Sequence, residues 1–502
     1  SRFSQVFGLS SEPSRSNFMS CTMWFLWCRL LGVALLVAPV VKSENRALVR
    51  AELSPRSEVV GSTTKQSNKT GGKLLQIEEG HFMEVHDAEE AVLKMARDLL
   101  HSFKVFGAQW AKRIYIRDLA THIEDSLEAG ADPEEAKHLL LTFFLFQRRS
   151  GSIPDWVDTE SGDVGKSTTA TDQETALIQA VHKYVNQTGD IDIMKHEVAN
   201  VEEHNLMTVR HRIELALDFL LKARFSPEHQ LLYGATTVDW GDLQPGQDED
   251  LVLGADKFSK QSHPAMDIYD NAMMILAMQD WVDLCQRLQD NACVDKWGKA
   301  VTHWKQQARK VLWDDARQKW RPHVYFSKGS NVTLSKRCRS GSPFPANFSE
   351  DGIFYLGGTA MAMLAGLNTK KEAKAAYEQM VHNVQQSKQS AATIGLAVYP
   401  PYPASFFNRR TDMYDSQNAG DWPWWGGRAV QALVSMGLLD EARAALSPMA
   451  ARTIREGAFY EWYNQDNDGR GRYELHAAAG ALGKAVRMLH SAEKEAGKSH
   501  AA

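Results

Sequence analysis

Two stretches of the 502-residue chain set carboxylates where water exclusion is costly for a charge unless it has a partner or a task. Glu461 lies between Tyr460 and Trp462 in FYEWYNQDNDGRGRYE, and Asp239 precedes Trp240 in YGATTVDWGDLQP, with Asp242 three positions on. An acid beside a ring that excludes water has a raised pKa and stays protonated, ready to donate. A second carboxylate that remains ionised can deprotonate water, so the two stretches together suit general acid and base chemistry. The plainer reading of Asp239 and Asp242 is a cap on the helix that follows.

Other residues suit the binding of a hydroxyl-rich ligand. In YIRD, Arg117 offers a donor fork and Asp118 an acceptor, although an adjacent Arg and Asp also make an ordinary ion pair at a helix start. In YDSQNAGDWPWWGGR, Trp422, Trp424 and Trp425 form an aromatic platform that can stack on apolar sugar faces, with Asp421 and Arg428 beside it to bond hydroxyls. Trp240 and Trp462 extend the same aromatic character, and core packing accounts for a share of all these rings. Asp172 opens a helix in STTATDQET, where a capping acid is the default and a ligand contact the alternative. Asn464, Asp466, Asp468 and Gly469 imitate the start of a calcium loop, but Leu475 stands where the terminal Glu is needed, so the segment reads as a polar turn and no metal is expected. Phosphate-loop, dinucleotide, GxSxG and HExxH patterns are lacking, and no cofactor is expected.

These residues need a scaffold that gathers distant loops. Trp297, Val301, Trp304, Ala308 and Val311 recur at helical spacing with Lys, Gln and Arg opposite. Similar stretches fall near 87–104, 131–148, 173–186, 204–223, 267–290, 358–366, 370–388, 427–437, 439–454 and 475–491, with no sustained strand alternation between them. The fold class is therefore all-α. Six loops rich in aromatic, acidic and Gly residues lie between alternate helices: Tyr115–Asp118, Ile153–Asp172, Tyr233–Pro245, Pro343–Gly358, Tyr399–Arg428 and Phe459–Tyr473. Six helical hairpins with these loops at one end predict an (α/α)6 toroid, and an ordinary α-solenoid is the alternative.

Composition bounds the partners. Hydrophobic residues at 43% and charged residues at 24% fit a globular chain, and the net charge of −5 supplies no basic excess for a phosphate backbone, so nucleic acid is not expected. Residues 1–18 read as sequence ahead of a start at Met19 or Met23, and 19–43 as a signal peptide whose apolar stretch runs from Leu30 to Val41. A signal anchor is the alternative, and it is the one route to a membrane. Residues 44–82 read as a linker, 83–492 as the catalytic domain and 493–502 as a disordered tail. Sequons at Asn68, Asn186, Asn331 and Asn347 agree with a secretory route. Of Cys285, Cys293 and Cys338, the first two flank a helix-helix turn and are the expected disulfide, with Cys338 free.

YIRD, TTATDQE, TTVDWGD, EDGIFYLGGTA, PPYP, QNAGDWPWWGGR and FYEWYN, in that order over about residues 86–492, resemble the six-hairpin (α/α)6 glycoside hydrolases, a group that includes trehalases, glucoamylases, mannosylglycerate hydrolases and glycogen-debranching glucosidases. YIRD is similar to the WxRD segment that holds a terminal sugar, with Tyr115 where Trp is commoner. TVDWG resembles the general-acid segment, which implies that role for Asp239, and FYEWYN the general-base segment, which implies it for Glu461. The implied reaction is inverting hydrolysis of a glucoside or related sugar, with about 6.5–9.5 Å between the carboxyl groups to admit water. Asp242 would orient Asp239 or replace it as the acid. Two alternatives stand beside this reading: a lyase or epimerase on the same toroid, with His204, His211 or His476 as base, and a carbohydrate-binding protein without turnover.

Overall fold

The computed structural model describes residues 74–78, 81–103, 113–165, 172–202, 204–241, 243–245, 262–327, 339–407 and 411–501. The leader, the expected signal segment, Asn68, Asn331, Cys338 and Asp242 lie outside the described residues.

Twelve α-helices occur among the described residues, in six consecutive hairpins. They are α1 (Val85–Leu100) with α2 (Ile116–Glu128), α3 (Pro133–Leu145) with α4 (Gln173–Thr188), α5 (Val209–Ala223) with α6 (Ile268–Arg287), α7 (Asn291–Leu312) with α8 (Leu356–Leu364), α9 (Lys370–Gln386) with α10 (Pro423–Ser435), and α11 (Leu439–Glu456) with α12 (His476–Ala501). The even-numbered helices form a closed inner ring: α2 packs on α4, α4 on α6, α6 on α8, α8 on α10, α10 on α12, and α12 back on α2. The odd-numbered helices pack outside them, and α1 touches both α11 and α12 across the seam where the ring closes. This is the (α/α)6 toroid.

Burial follows the two tiers. Outer α7 buries a stripe of Trp297, Ala300, Trp304, Ala308 and Leu312 and leaves its other face wet, as its periodicity predicts. Inner α8 and α10 are buried on nearly every side, which suits their Gly- and Ala-rich sequences. Gly427 of α10 lies so close to α12 that a Cβ would stand 2.9 Å from the carbonyl of Ala481.

Helix starts are set locally. Asp132 accepts the Glu134 amide at 2.9 Å ahead of Pro133. Thr369 and Glu372 form a reciprocal capping box for α9. Cys285 and Cys293 form the expected disulfide at the turn between α6 and α7. No described helix is long and apolar enough to cross a membrane.

The structure departs from the sequence expectations in three places. Ile116–Glu128 is a helix, so Arg117 and Asp118 occupy its first turn rather than a loop. The expected linker ends in a hairpin, with Leu74–Glu78 paired to His81–Glu84. The last helix continues past 492 to Ala501, through Ala, Glu and Lys residues that favour helix.

Gly427→Ala tests the close approach of α10 and α12. Overpacking there costs about 1–3 kcal/mol, more than the roughly 1 kcal/mol that Ala gains over Gly in a helix. We expect a lower Tm; an equal or higher one would mean that α10 and α12 pack less closely.

Candidate active site

Every inner helix begins at the same end of the toroid, and each of the six chemistry-rich loops leads into one of them. The amino termini of α2, α4, α6, α8, α10 and α12 therefore converge on one mouth. Their unpaired N–H groups and dipoles favour negative charge there.

Asp172 occupies the N-cap position of α4, yet its carboxylate makes no cap bond. It turns instead to the Arg117 guanidinium, with Nη2 at 3.2 Å and Nε closer, and accepts the Tyr269 hydroxyl at 2.8 Å. The capping default for Asp172 is thus replaced by a tie among the starts of α2, α4 and α6. Arg117 pairs with Asp172 across to the next inner helix. Burial raises the Asp118 carboxyl, against the pull of Arg472 and Arg117. The Arg472 guanidinium also lies 5.2 Å over the Tyr115 ring, which links the first loop to the last.

Asp239 has a left-handed backbone, φ 52°. Its two carboxylate oxygens accept the amides of Gly357 and Gly358, at 2.6 and 2.8 Å, in the first turn of α8. Burial pushes the carboxyl up to about 8, while those two amides pull it down and the Asp270 charge adds to the rise. Asp270 belongs to a pair outside the sequence motifs: Asp267 caps α6 by accepting the Asp270 amide at 2.7 Å, and burial then Asp270 hold its carboxyl well above the usual range. The D-x-x-D spacing at a helix start is the signal that marks the pair in the sequence.

A buried network supports the Asp239 loop. Glu350 accepts the Tyr402 hydroxyl at 2.9 Å and lies 3.1 Å from His323 Nδ1. The Tyr402 and Tyr355 hydroxyls are 2.6 Å apart, and Tyr355 reaches the Thr237 carbonyl at 3.4 Å. Thr237 in turn donates its hydroxyl to the Asp239 carbonyl at 3.0 Å. Around these groups Val238, Ile353, Val398 and Tyr414 form an apolar cluster that joins the third, fourth and fifth loops.

The aromatic residues of the fifth loop meet the third. Trp240 lies 4.5 Å from Trp425 and 5.4 Å, edge-on, from Trp422, and Trp424 stacks on Trp425 at 5.2 Å. Arg428, buried, donates to Thr121 Oγ1 at 2.7 Å and sits 5.5 Å from the Trp425 ring. Trp424 Nε1, Trp425 Nε1 and Arg428 Nε have no acceptor among the described residues. Three buried donors without acceptors are an energetic burden on this part of the fold.

Asp421 does different work from the hydroxyl contact expected of it. It is fully buried, bidentate to Arg452 at 2.9 Å, and accepts the Thr393 amide and hydroxyl at 2.5 and 2.8 Å. These partners occupy both of its oxygens, so Asp421 anchors the loop. Its backbone also pairs with Tyr463, which ties the fifth loop to the sixth. There Glu461 sits on a hairpin in which Trp462–Tyr463 pairs with Gly469–Arg470. Glu461 Oε2 accepts the Arg472 amide at 2.8 Å. Gly471, at φ 71°, makes room for it, since a Cβ there would stand 2.4 Å from that oxygen. Trp462 is half-buried beside it. Contacts from Asp239 through Trp240, Trp422, Asp421 and Tyr463 thus lead to the Glu461 hairpin.

A family model described as "Glycosyl hydrolase 94 superfamily, catalytic domain" matches residues 120–408. Among solved structures, the chain is similar to GH63 mannosylglycerate hydrolase from Thermus thermophilus in complex with glucose, with 14% identity and a TM-score of 0.51 over 80% of this chain and 99% of that one. It is similar to a rhamnosidase from Klebsiella oxytoca with rhamnose bound, with 14% identity and a TM-score of 0.50 over 80% of this chain and 64% of that one. It also resembles an uncharacterized conserved protein from Thermus thermophilus, with 15% identity and a TM-score of 0.52 over 80% of this chain and 100% of that one. No curated protein matches.

Replacing Asp421 by Ala strands Arg452 in the interior without a counter-charge. Loss of one partner of such a pair costs about 3–5 kcal/mol, to be read from chemical denaturation. A loss within about 1 kcal/mol, the scale of an exposed pair, would show that the pair is not the loop's anchor.

Proposed function

Since the chain belongs to the glycosyl hydrolase 94 superfamily, whose catalytic domain it carries, we propose that it hydrolyses a glycosidic bond of a glucoside or related sugar by a single, inverting displacement. Asp239 is the general acid: protonated, it donates to the oxygen of the leaving group as the bond to the anomeric carbon breaks. Glu461 is the general base and takes a proton from the water that attacks the opposite face. The observation that carries this reading is the Asp239 carboxyl itself, which burial lifts to about 8, so it keeps its proton at neutral pH. Arg117 and Asp118 hold the sugar at the first loop, with Asp172 fixing the Arg117 fork. The half-buried Trp462 packs on a sugar face, while Trp240, Trp422, Trp424 and Trp425 pack on one another and shape the wall behind it.

One observation favours a second reading of the acid. Both Asp239 oxygens already accept amides of α8, which suits an anchor, and the donor's role then falls to Asp242, the alternative in the same motif.

The secretory route is part of the same proposal. The apolar Leu30–Val41 stretch, the disulfide, and the exposed sequon residue Asn186 support it.

Kinetics separate these roles. Asp239→Asn and Glu461→Gln are each expected to lower kcat about 10²- to 10⁴-fold on an alkyl glycoside. On a glycosyl fluoride, whose leaving group needs little proton assistance, loss of the true acid is largely forgiven. If Asp239→Asn stays inactive on the fluoride while Asp242→Asn recovers, Asp242 is the acid and Asp239 the anchor. NMR of the first product should show the inverted anomer, and release of the retained anomer would sink the single displacement.

The pH profile has a definite sign. An acid must be protonated to work, so activity should fall as pH rises through about 8, the Asp239 value. A rate that stays flat well into the alkaline range would remove Asp239 as the proton donor.

A further inference from the structure

The far end of the toroid carries a cluster that glycoside hydrolysis does not use. His86 and Glu89 lie in the first two turns of α1, and His490 lies on α12. Each offers one ligand atom, and these atoms lie within 4.8 Å of one another. The odd-numbered helices run toward the mouth and the even-numbered ones away from it. His490, well along α12, is therefore about 20 Å below the rim at roughly 1.5 Å per residue, remote from the carboxylates of the active site.

We propose that His86, Glu89 and His490 bind a borderline transition-metal ion of the zinc class, which fastens the first helix of the ring to the last. Two imidazoles and a carboxylate are a donor set that such ions accept, with water completing the coordination. Glu89 is fully buried, and Arg443 Nη1 fixes its orientation with contacts of 2.8 and 3.0 Å to the two oxygens. Arg443 thereby acts as an outer-sphere partner that aims the carboxylate. Arg443 is shared with Glu493, and Glu90 lies 3.5 Å from His490 Nδ1. Arg443 thus faces two carboxylates, Glu89 and Glu493, and a third, Glu90, stands beside His490, an acidic surround that suits a cation.

The imidazoles are placed to respond. His490 Nε2 lies 2.7 Å from Glu89 Oε2, and Glu90 stands by the other ring nitrogen, so one nitrogen can turn a lone pair to a metal while the other keeps a carboxylate partner. The His86 ring lies 5.0 Å from that of His490. His86 itself is exposed. A zinc ion with bonds of about 2.0–2.2 Å needs its ligand atoms within about 3.5 Å of one another, and rotation of the exposed His86 supplies the closure. The bound ion would join elements far apart in the sequence, where a cross-link removes the most chain entropy.

The test uses the full chain, stripped of metal by chelation and titrated calorimetrically with zinc chloride alone. We expect saturable binding with one equivalent assigned to this cluster and a rise in Tm on zinc addition. His86→Ala and His490→Gln should each weaken that equivalent about tenfold or more and abolish the rise. Because His86 is exposed, its replacement leaves the metal-free Tm unchanged and gives a clean comparison even if His490→Gln folds poorly. Cobalt(II) at the same site should give the visible spectrum of a low-coordinate nitrogen and oxygen set. Absence of saturable zinc binding, or a His86→Ala chain that binds zinc as the wild type does, would overturn the proposal.

Discussion

Six parallel helices that start around one opening set the terms for everything the toroid does. Each start leaves N–H groups without intrahelical partners and the positive end of a dipole, and the ring concentrates six of them. The chain answers with carboxylates: Asp118 in the first turn of α2, Asp172 at the start of α4, Asp267 and Asp270 at α6, and Asp239 against the amides of α8. Anions are welcome at a helix start even without a cation, so the mouth can hold acids that burial would otherwise make costly. The same geometry brings together loops more than a hundred residues apart.

Within that field the carboxylates sort by their partners. Asp421 has a buried guanidinium and two Thr393 donors, and is committed to holding its loop. Asp172 is taken up by Arg117 and Tyr269. Asp239 has two amides that pull its carboxyl down, but burial outweighs them and lifts it to about 8. Glu461, half-buried on its hairpin, has an amide bond from Arg472 to fix its direction. Environment, not residue type, separates the structural acids from those that remain for chemistry.

That sorting explains what is legible in the sequence. Apolar periodicity marks nearly every helix, and the alternation of plain and aromatic-acidic loops marks the toroid, because both express burial that each segment must satisfy locally. The α2 helix is missed in the sequence: its YIRD start reads as a loop motif, although Ile116, Leu119, Ala120 and Ile123 recur at helical spacing and are buried on one face. Asp421 looks like a ligand contact because its partner Arg452 is 31 positions away, on the outer helix α11. Tyr269 is inconspicuous for the same reason, and Asp267 shows only as the first acid of a D-x-x-D helix start. Their importance lies in Asp239 and Asp172, neighbours that only the fold supplies.

The loops themselves are held with uneven means, and the difference bears on how the mouth works. The third, fourth and fifth are locked by the Glu350, Tyr402 and Tyr355 network and its apolar surround, all beneath the surface. Rigidity on that side keeps Asp239 and the packed tryptophans in register. The Glu461 hairpin is tied to the rest by the Asp421–Tyr463 backbone pair and by Arg472 over Tyr115. It is short, partly exposed and edged by Tyr473, one of the most exposed large side chains described. Few buried contacts mean a low cost of local opening. A mouth built with one fixed wall and one lightly fastened hairpin can admit a sugar without disturbing the ring.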